Sequence, residues 1–325
     1  MDGHRTRFFP MLVVVAAGWL GGCTPLGMRR PAAPLPTVLA VKPPLEQVIA
    51  AVNYNAAQIR SFATNQAELS GPGFPTLRGA TIAFERPKRL RLRAGTTITG
   101  PELDVGSNDE LFWIWVRRNE PRALLFCRHA QYAASPARRM LAIDPDWLLD
   151  AFGLAEFDPV WQHQGPFVLP DGRLEIRTLR QTPDGPAMKI TRIQPLTGIV
   201  VEQYAYDSQG QLVAGAVASD HRRDPLTGLV MPRIVDLQVP RAQFSLRVNL
   251  GNVTINGPIA NAAELWTMPS YEGWPLVDLG DPRLQAQMFP PPQAYQPPQG
   301  YQPPAQPHAP QSTEPPSVYP GWSRP

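Results

Sequence analysis

Cysteine occurs twice in the 325 residues, and only one of the two sits in a reactive setting. Cys23 follows Leu20-Gly21-Gly22, the pattern read by bacterial lipoprotein-processing enzymes. Small residues ahead of the cysteine let an extended chain enter a peptidase cleft. The thiol is then the nucleophile that takes up a diacylglyceryl group. The flanks agree, since Arg5 and Arg7 lead into the apolar run Met11–Leu20, the layout of a secretory signal peptide. That run falls well short of the roughly 20 apolar residues a spanning helix needs. Cleavage after Gly22, lipidation of Cys23 with palmitate-type chains and retention at a membrane through that lipid are expected. With Cys23 acylated, Cys127 has no partner for an internal disulfide. Inside Leu124-Leu125-Phe126-Cys127 it reads as a small buried hydrophobe.

Other chemistry is thin. His4, His129, His163, His221 and His308 are scattered without metal-ligand spacing. No Gly-x-Ser-x-Gly elbow, P-loop or dinucleotide fingerprint occurs. Asp144 and Asp146 flank Pro145, where roles at a helix start explain them. A binding protein rather than an enzyme is predicted, with no cofactor and no metal. Turnover would need a constellation assembled from distant residues. The net charge of +3 is no basic footprint, so nucleic acid is not an expected partner. Lys88, Arg89, Arg91 and Arg93 do cluster. They read either as the solvated face of a strand or as contacts to an anionic leaflet.

Composition divides the chain into a signal peptide (1–22), a Pro/Ala-rich tether (23–44), a folded domain (45–281) and a Pro/Gln-rich tail (282–325). In the tail, Tyr295-Gln296-Pro297-Pro298 nearly repeats as Tyr301-Gln302-Pro303-Pro304. Such a segment buries too little apolar surface to fold, so disorder or polyproline II is expected there. The domain opens with Leu45, Val48, Ile49, Val52, Ala56 and Ile59 on one helical stripe. Strands are predicted near 59–70, 77–84, 89–97, 102–106, 111–116 and 122–128, with a tight turn at Ser107-Asn108-Asp109. A second helix has Asp144 as cap, Pro145 in its first turn, Gly153 as terminator and an apolar face of Trp147, Leu148, Ala151 and Phe152. Strands resume near 174–180, 188–193, 199–206, 212–219, 230–239 and 244–253. The fold class is α+β. A sheet of about 11–12 antiparallel strands must curl or close. A strongly curved antiparallel β half-barrel with helices packed on its concave side buries the helical stripe and one sheet face together.

Three segments carry a family resemblance. Phe84-Glu85-Arg86-Pro87-Lys88-Arg89-Leu90-Arg91-Leu92 resembles the Arg-Pro and following apolar-basic strand of LolA- and LolB-type lipoprotein carriers. Asp104-Val105-Gly106-Ser107-Asn108-Asp109-Glu110-Leu111-Phe112-Trp113-Ile114-Trp115 looks like their short hairpin with an aromatic second strand. Glu264-Leu265-Trp266-Thr267-Met268-Pro269, followed by Gly273, is similar to their closing segment. Order and spacing agree from the first helix to Leu279. The resemblance implies an open, curved sheet around an apolar cavity, lidded by helices, that shields acyl chains of lipoproteins or similar lipids without covalent chemistry. It also implies that Arg86 lies at the cavity mouth and bonds to backbone carbonyls of a lid helix. The chain departs from the family in its lipid anchor, its proline tail and an insert around Ala133–Arg139.

Along one strand Ile82, Phe84, Arg86, Leu90 and Leu92 share parity, so if Arg86 faces the cavity the apolar four face it too. Otherwise those four are ordinary sheet core. Phe112, Ile114 and Val116 alternate with Leu111, Trp113 and Trp115, so both faces of that strand are apolar. Phe112, Trp113 and Trp115 therefore all stand as candidates to touch ligand. The expected partners are lipid or lipoprotein acyl chains, and the membrane through the anchor. The expected address is the cell envelope, at the periplasmic face of the outer membrane, because Thr24 rather than Asp follows the lipidated cysteine. The alternative is a structural or interaction lipoprotein whose half-barrel is scaffold and whose tail docks an envelope partner or spans the wall. A deep, dry cavity favours the carrier and a filled core favours the scaffold.

Overall fold

Helix α1, Leu45–Gln58 in the computed structural model, buries Val48, Val52 and Ala56 along the stripe. Ile59, just past its end, is fully buried. The described residues are 33–132, 135, 145–182, 185–281 and 283–284. The signal peptide and Cys23, part of the tether, the Asp144 cap, the insert around Ala133–Arg139 apart from Ser135, and nearly all of the tail lie outside them. The chain divides into two units, Met1–Gly280 and Asp281–Pro325. The elements described here all belong to the first.

Six strands form a first meander: β1 (Ser61–Gly71), β2 (Phe74–Glu85), β3 (Arg89–Thr96), β4 (Gly100–Ser107), β5 (Leu111–Val116) and β6 (Leu124–Arg128). Helix α2 (His129–Tyr132) and helix α3 (Pro145–Leu149), which runs on into a π-turn at Asp150–Leu154, come next. A second meander follows, made of β7 (Gln162–Val168), β8 (Leu174–Thr182), β9 (Gly185–Ile193), β10 (Val200–Tyr206) and β11 (Leu212–Ser219). The remainder is the small ribbon β12 (Arg222–Arg223) and β13 (Val230–Met231), the hairpin β14 (Ile234–Val239) and β15 (Phe244–Asn249), then β16 (Thr254–Ile255), helix α4 (Ala262–Leu265) and β17 (Leu276–Asp278).

The main sheet runs in the order β17-β6-β5-β4-β3-β2-β1-β15-β14-β11-β10-β9-β8-β7, with β16 added beside β1. Hairpin β14–β15 thus joins the two meanders. The path has two free ends, so the sheet is open. Side chains from β5 round to β14, a path of seven adjacent strands, converge on one cavity. Laid flat, those strands would span roughly 30 Å, so the sheet is strongly curved.

Several strand limits differ from the sequence expectation, each for a local reason. The run 230–239 breaks at Pro232, which has no N–H to give a ladder. Only β14 joins the main sheet, while β13 pairs with β12. The run 244–253 stops at Asn249, and the chain turns through Gly251 at φ 60 before β16 pairs with β1. β7 was not anticipated, because Gln162-His163-Gln164-Gly165-Pro166 has no apolar alternation. It is an edge strand with a register shift between Gln164 and Phe167, where such irregularity is tolerated. Ile82 and Phe84 lie on β2 and Leu90 and Leu92 on β3, in register as Phe84–Leu90 and Ile82–Leu92. They share a face across a hairpin rather than along one strand.

The helices are fastened to the sheet at defined points. Asn53 of α1 takes the Phe157 N–H (2.8 Å) and gives to the Phe157 carbonyl (3.0 Å). Asn55 does the same with Val230, at 2.9 Å both ways. Phe152 from the π-turn is fully buried, its ring 6.2 Å from Phe62, which in turn lies 5.6 Å from Phe84. Gly153 ends the turn at φ 92, and a Cβ there would come within 2.8 Å of Pro232.

Candidate functional site

A cavity of about 580 Å³ opens within the first meander and the β14–β15 hairpin. Its walls are Leu69 and Leu77 from β1 and β2, Leu90 and Leu92 from β3, Leu103 and Val105 from β4, Phe112, Ile114 and Val116 from β5, and Leu237 and Leu246 from β14 and β15. Leu148 of α3 and Phe152 of its π-turn close one side. The register explains the lining: Leu103 faces Val116, Val105 faces Ile114 and Ser107 faces Phe112. All therefore project to one side of the pleat. Exposed wall residues lie at one end of the strands, where the turns Pro72-Gly73-Phe74-Pro75 and Ala242–Phe244 form a rim. At the other end the walls are buried at Leu90, Ser107 and Phe112. The cavity is deep, apolar and open at the rim.

Of the residues singled out from sequence, Leu90, Leu92, Phe112 and Trp113 touch this cavity, while Ile82, Phe84, Trp115 and Arg86 do not. Ile82 and Phe84 point the same way as Leu90 and Leu92 but are covered by the Phe62 and Phe152 packing. Arg86 occupies the β2–β3 turn, at the opposite end of the strands from the rim. Its Nε donates to the Ile59 carbonyl (3.0 Å), and its Nη2 donates to Ala56 O (2.9 Å) and pairs with Glu156 (2.5 Å). The last carbonyls of a helix lack intrahelical partners and carry negative partial charge. The end of α1 therefore holds the guanidinium, and Arg86 fastens that helix away from the mouth.

The opposite face of β3–β5 is covered around Asp104 and Trp115. Trp115 stacks on Tyr271 with ring centroids 4.0 Å apart and meets Trp274 at 5.3 Å. Asp104, fully buried, accepts from Arg91 (2.6 Å), Tyr271 Oη (2.6 Å) and Trp113 Nε1 (3.3 Å). Arg91 also donates to the carbonyls of Leu265 and Thr267 (3.2 and 2.8 Å). Burial lowers the Arg91 pKa against the pull of Asp104, and burial together with the Asp104 bond raises the Tyr271 phenol. Arg91 is thus neither a solvated residue nor a headgroup contact but a buried clamp on the closing segment. Arg89 pairs with Asp109 and Glu85, and Arg93 remains about half exposed. The Trp113 ring fills the space a side chain at Gly106 would occupy.

Three polar side chains touch the cavity among the described residues: Glu102, Ser107 and Arg118. Ser107 Oγ lies 3.2 Å from His129 Nε2, a pair the sequence did not bring together. The same nitrogen is 2.9 Å from the Asn108 carbonyl oxygen, to which only a protonated nitrogen can bond. It is therefore a donor there and not a base for Ser107. Cys127 is buried beside Phe112, and burial raises its thiol pKa. No described cluster of His, Cys, Asp and Glu could hold a metal ion. No described helix is long and apolar enough to cross a membrane.

No family model matches the chain, and no curated protein matches it. Solved structures do. A LolA superfamily protein from Nitrosomonas europaea aligns at 10% identity over 68% of this chain and 97% of its own, with a TM-score of 0.43. A putative outer membrane lipoprotein-sorting protein domain from Vibrio parahaemolyticus aligns at 8% identity over 68% and 99%, with a TM-score of 0.45. A DUF1329 family protein from Desulfovibrio piger aligns at 14% identity over 66% and 95%, with a TM-score of 0.40.

Proposed function

We propose that this chain is a lipid-anchored protein of the bacterial cell envelope that holds acyl chains of lipoproteins or lipids in the cavity of a half-barrel. On this reading helix α1 and helix α3 sit on its concave side. The cavity carries the reading. It is about 580 Å³, within the range of sites that enclose small ligands, and its walls are aliphatic and aromatic. Each methylene moved from water into such walls is worth about 0.8 kcal/mol, so ten amount to roughly 8 kcal/mol before ordering costs. That supports a carrier or receptor over a scaffold, whose core would be filled. Binding without turnover is the matching mechanism, since the polar groups on the walls offer no nucleophile with a free base.

A fluorescent fatty-acyl probe titrated into the purified domain, with native mass spectrometry for co-purified lipid, tests the cavity. Saturable binding is expected. No probe binding and no retained lipid would reject the carrier. The anchor is tested separately: Cys23→Ser is expected to abolish palmitate labelling and membrane retention, and continued labelling would reject it. Fractionation places the lipidated protein in the outer membrane on this reading. Recovery in the inner membrane would count against that address.

A further inference from the structure

At the rim, the apolar walls end in two charged side chains, Glu102 and Arg118. Glu102 is 8% exposed, and Thr99 Oγ1 donates to one of its oxygens at 2.5 Å. Its other oxygen meets Arg118 Nε at 3.4 Å. Arg118 is different, with a side chain 60% exposed. Among the described residues, neither of its Nη groups has a partner. The carboxylate therefore engages the guanidinium by its Nε alone, and the two Nη groups are left as donors beside the cavity mouth. Guanidinium donors in this fork match the paired oxygens of a carboxylate or phosphate. The surrounding loop adds charge of the same sign. Arg117 donates to the carbonyls of Thr99 and Pro101 at the start of β4.

We infer that the mouth selects amphiphiles by headgroup: an acyl chain enters the cavity while its anionic head, a carboxylate or a phosphate, docks on Arg118. The inference rests on the acyl-binding reading above and adds a charge requirement to it. The interior alone cannot tell a fatty acid from a neutral glyceride of the same chain length, because both present the same methylenes. Only the rim can. Glu102 acts as a positioning residue that holds Arg118 over the opening. The ester-linked acyl chains of a diacylglyceryl cysteine have no charge at the matching position, so they would gain nothing from Arg118.

The test compares oleate, lysophosphatidic acid bearing the same chain, and neutral monoolein, each displacing a bound acyl probe from the mature protein. Tighter binding of the two anionic ligands, weakening with added salt, is expected. Arg118→Gln should weaken both by about fivefold, as befits a half-exposed charge contact, and leave monoolein unchanged. Thermal melts of the variant should match wild type, because the altered side chain is on the surface. Glu102→Gln keeps an amide oxygen to accept from Arg118 Nε while removing the competing charge, so anion binding should hold or improve. A loss confined to oleate identifies the carboxylate as the head, and a loss confined to lysophosphatidic acid identifies the phosphate. Equal binding of all three ligands, or an equal fall for all three in Arg118→Gln, would overturn the headgroup inference and leave the cavity reading standing. Failure of all three to displace or bind would overturn both.

Discussion

The two meanders are built alike, yet one encloses a cavity and the other is filled. On the cavity side, β3, β4 and β5 present Leu90, Leu92, Leu103, Val105, Phe112 and Ile114, which can attract a helix only through contact area. On the filled side, polar groups reach the π-turn that continues α3. Gln203 of β10 donates to the Asp150 carbonyl (2.8 Å), and Lys189 of β9 pairs with the Asp150 carboxylate (2.5 Å). Helix α1 adds Val48 and Val52 against Leu174, Ile176 and Ile193. Directional bonds fix a helix at one distance from a sheet, and apolar packing then completes the fill. Where such bonds are missing, a gap can persist. Curved sheets of one kind therefore become core or cavity according to whether the inner face carries groups that hold a helix down.

The largest expected effect comes from exchanging those properties. Ile114→Trp puts bulk into the cavity and takes the place of about three methylenes of ligand, lowering acyl-probe affinity roughly fiftyfold at about 0.8 kcal/mol each. Thermal stability should hardly change, because the new ring enters open space. Ile176→Ala in the filled half should do the reverse. It removes a fully buried side chain at a cost of about 2–5 kcal/mol, with probe affinity kept. Denaturant melts and probe titrations on both variants decide it. If Ile114→Trp destabilises as Ile176→Ala does, the two halves are equally packed and the comparison fails.

This contrast was only partly legible in the sequence. The amphipathic stripe of α1, the helix-start and glycine-stop pattern around Pro145 and Gly153, and most strands followed from periodicity and turn residues. The shared face of Ile82, Phe84, Leu90 and Leu92 followed from parity. Which of those four meet open space did not, because that depends on where Phe152 lands. Trp113 and Trp115 could not be separated from Phe112, since both faces of β5 are apolar and the strap that covers one of them comes from residues 264–280. Asp104, set between Leu103 and Val105 in a strand, was the available signal for the buried clamp. Glu102 and Arg118 gave none. They are 16 residues apart, and the β4–β5 hairpin, with Leu103 opposite Val116 and the Arg117 N–H on the Glu102 carbonyl, brings them to one rim.

The next effect down tests whether the outer strap supports the cavity wall. Asp104 joins β4 to Arg91, Trp113 and Tyr271 with no exposure of its own. Asp104→Ala leaves the Arg91 charge buried and uncompensated, which costs about 3–5 kcal/mol. The Trp113 and Trp115 fluorescence should shift red as the strap loosens. A variant that melts like wild type would show that the strap is held by aromatic stacking alone.

The smallest effect falls on the seam between the two halves. Arg86 leaves the β2–β3 turn of the cavity half and bonds to Ala56 and Ile59 at the end of α1, the helix that fills the other half. Its side chain is 33% exposed and its ion pair with Glu156 lies at 39% exposure, so screening limits what the pair contributes. The carbonyl bonds count for more, because helix-end oxygens have few other donors. Arg86→Leu should therefore lower stability by about 1–2 kcal/mol. Arg86→Lys, which keeps the charge but loses the fork, should recover only part of that. Acyl-probe affinity should be unchanged in both variants, because the residue is away from the rim. Melts and titrations on the same preparations separate the alternatives. A drop in probe affinity larger than the drop in stability would mean that the end of α1 gates the cavity after all, and that the two halves are coupled through this one side chain.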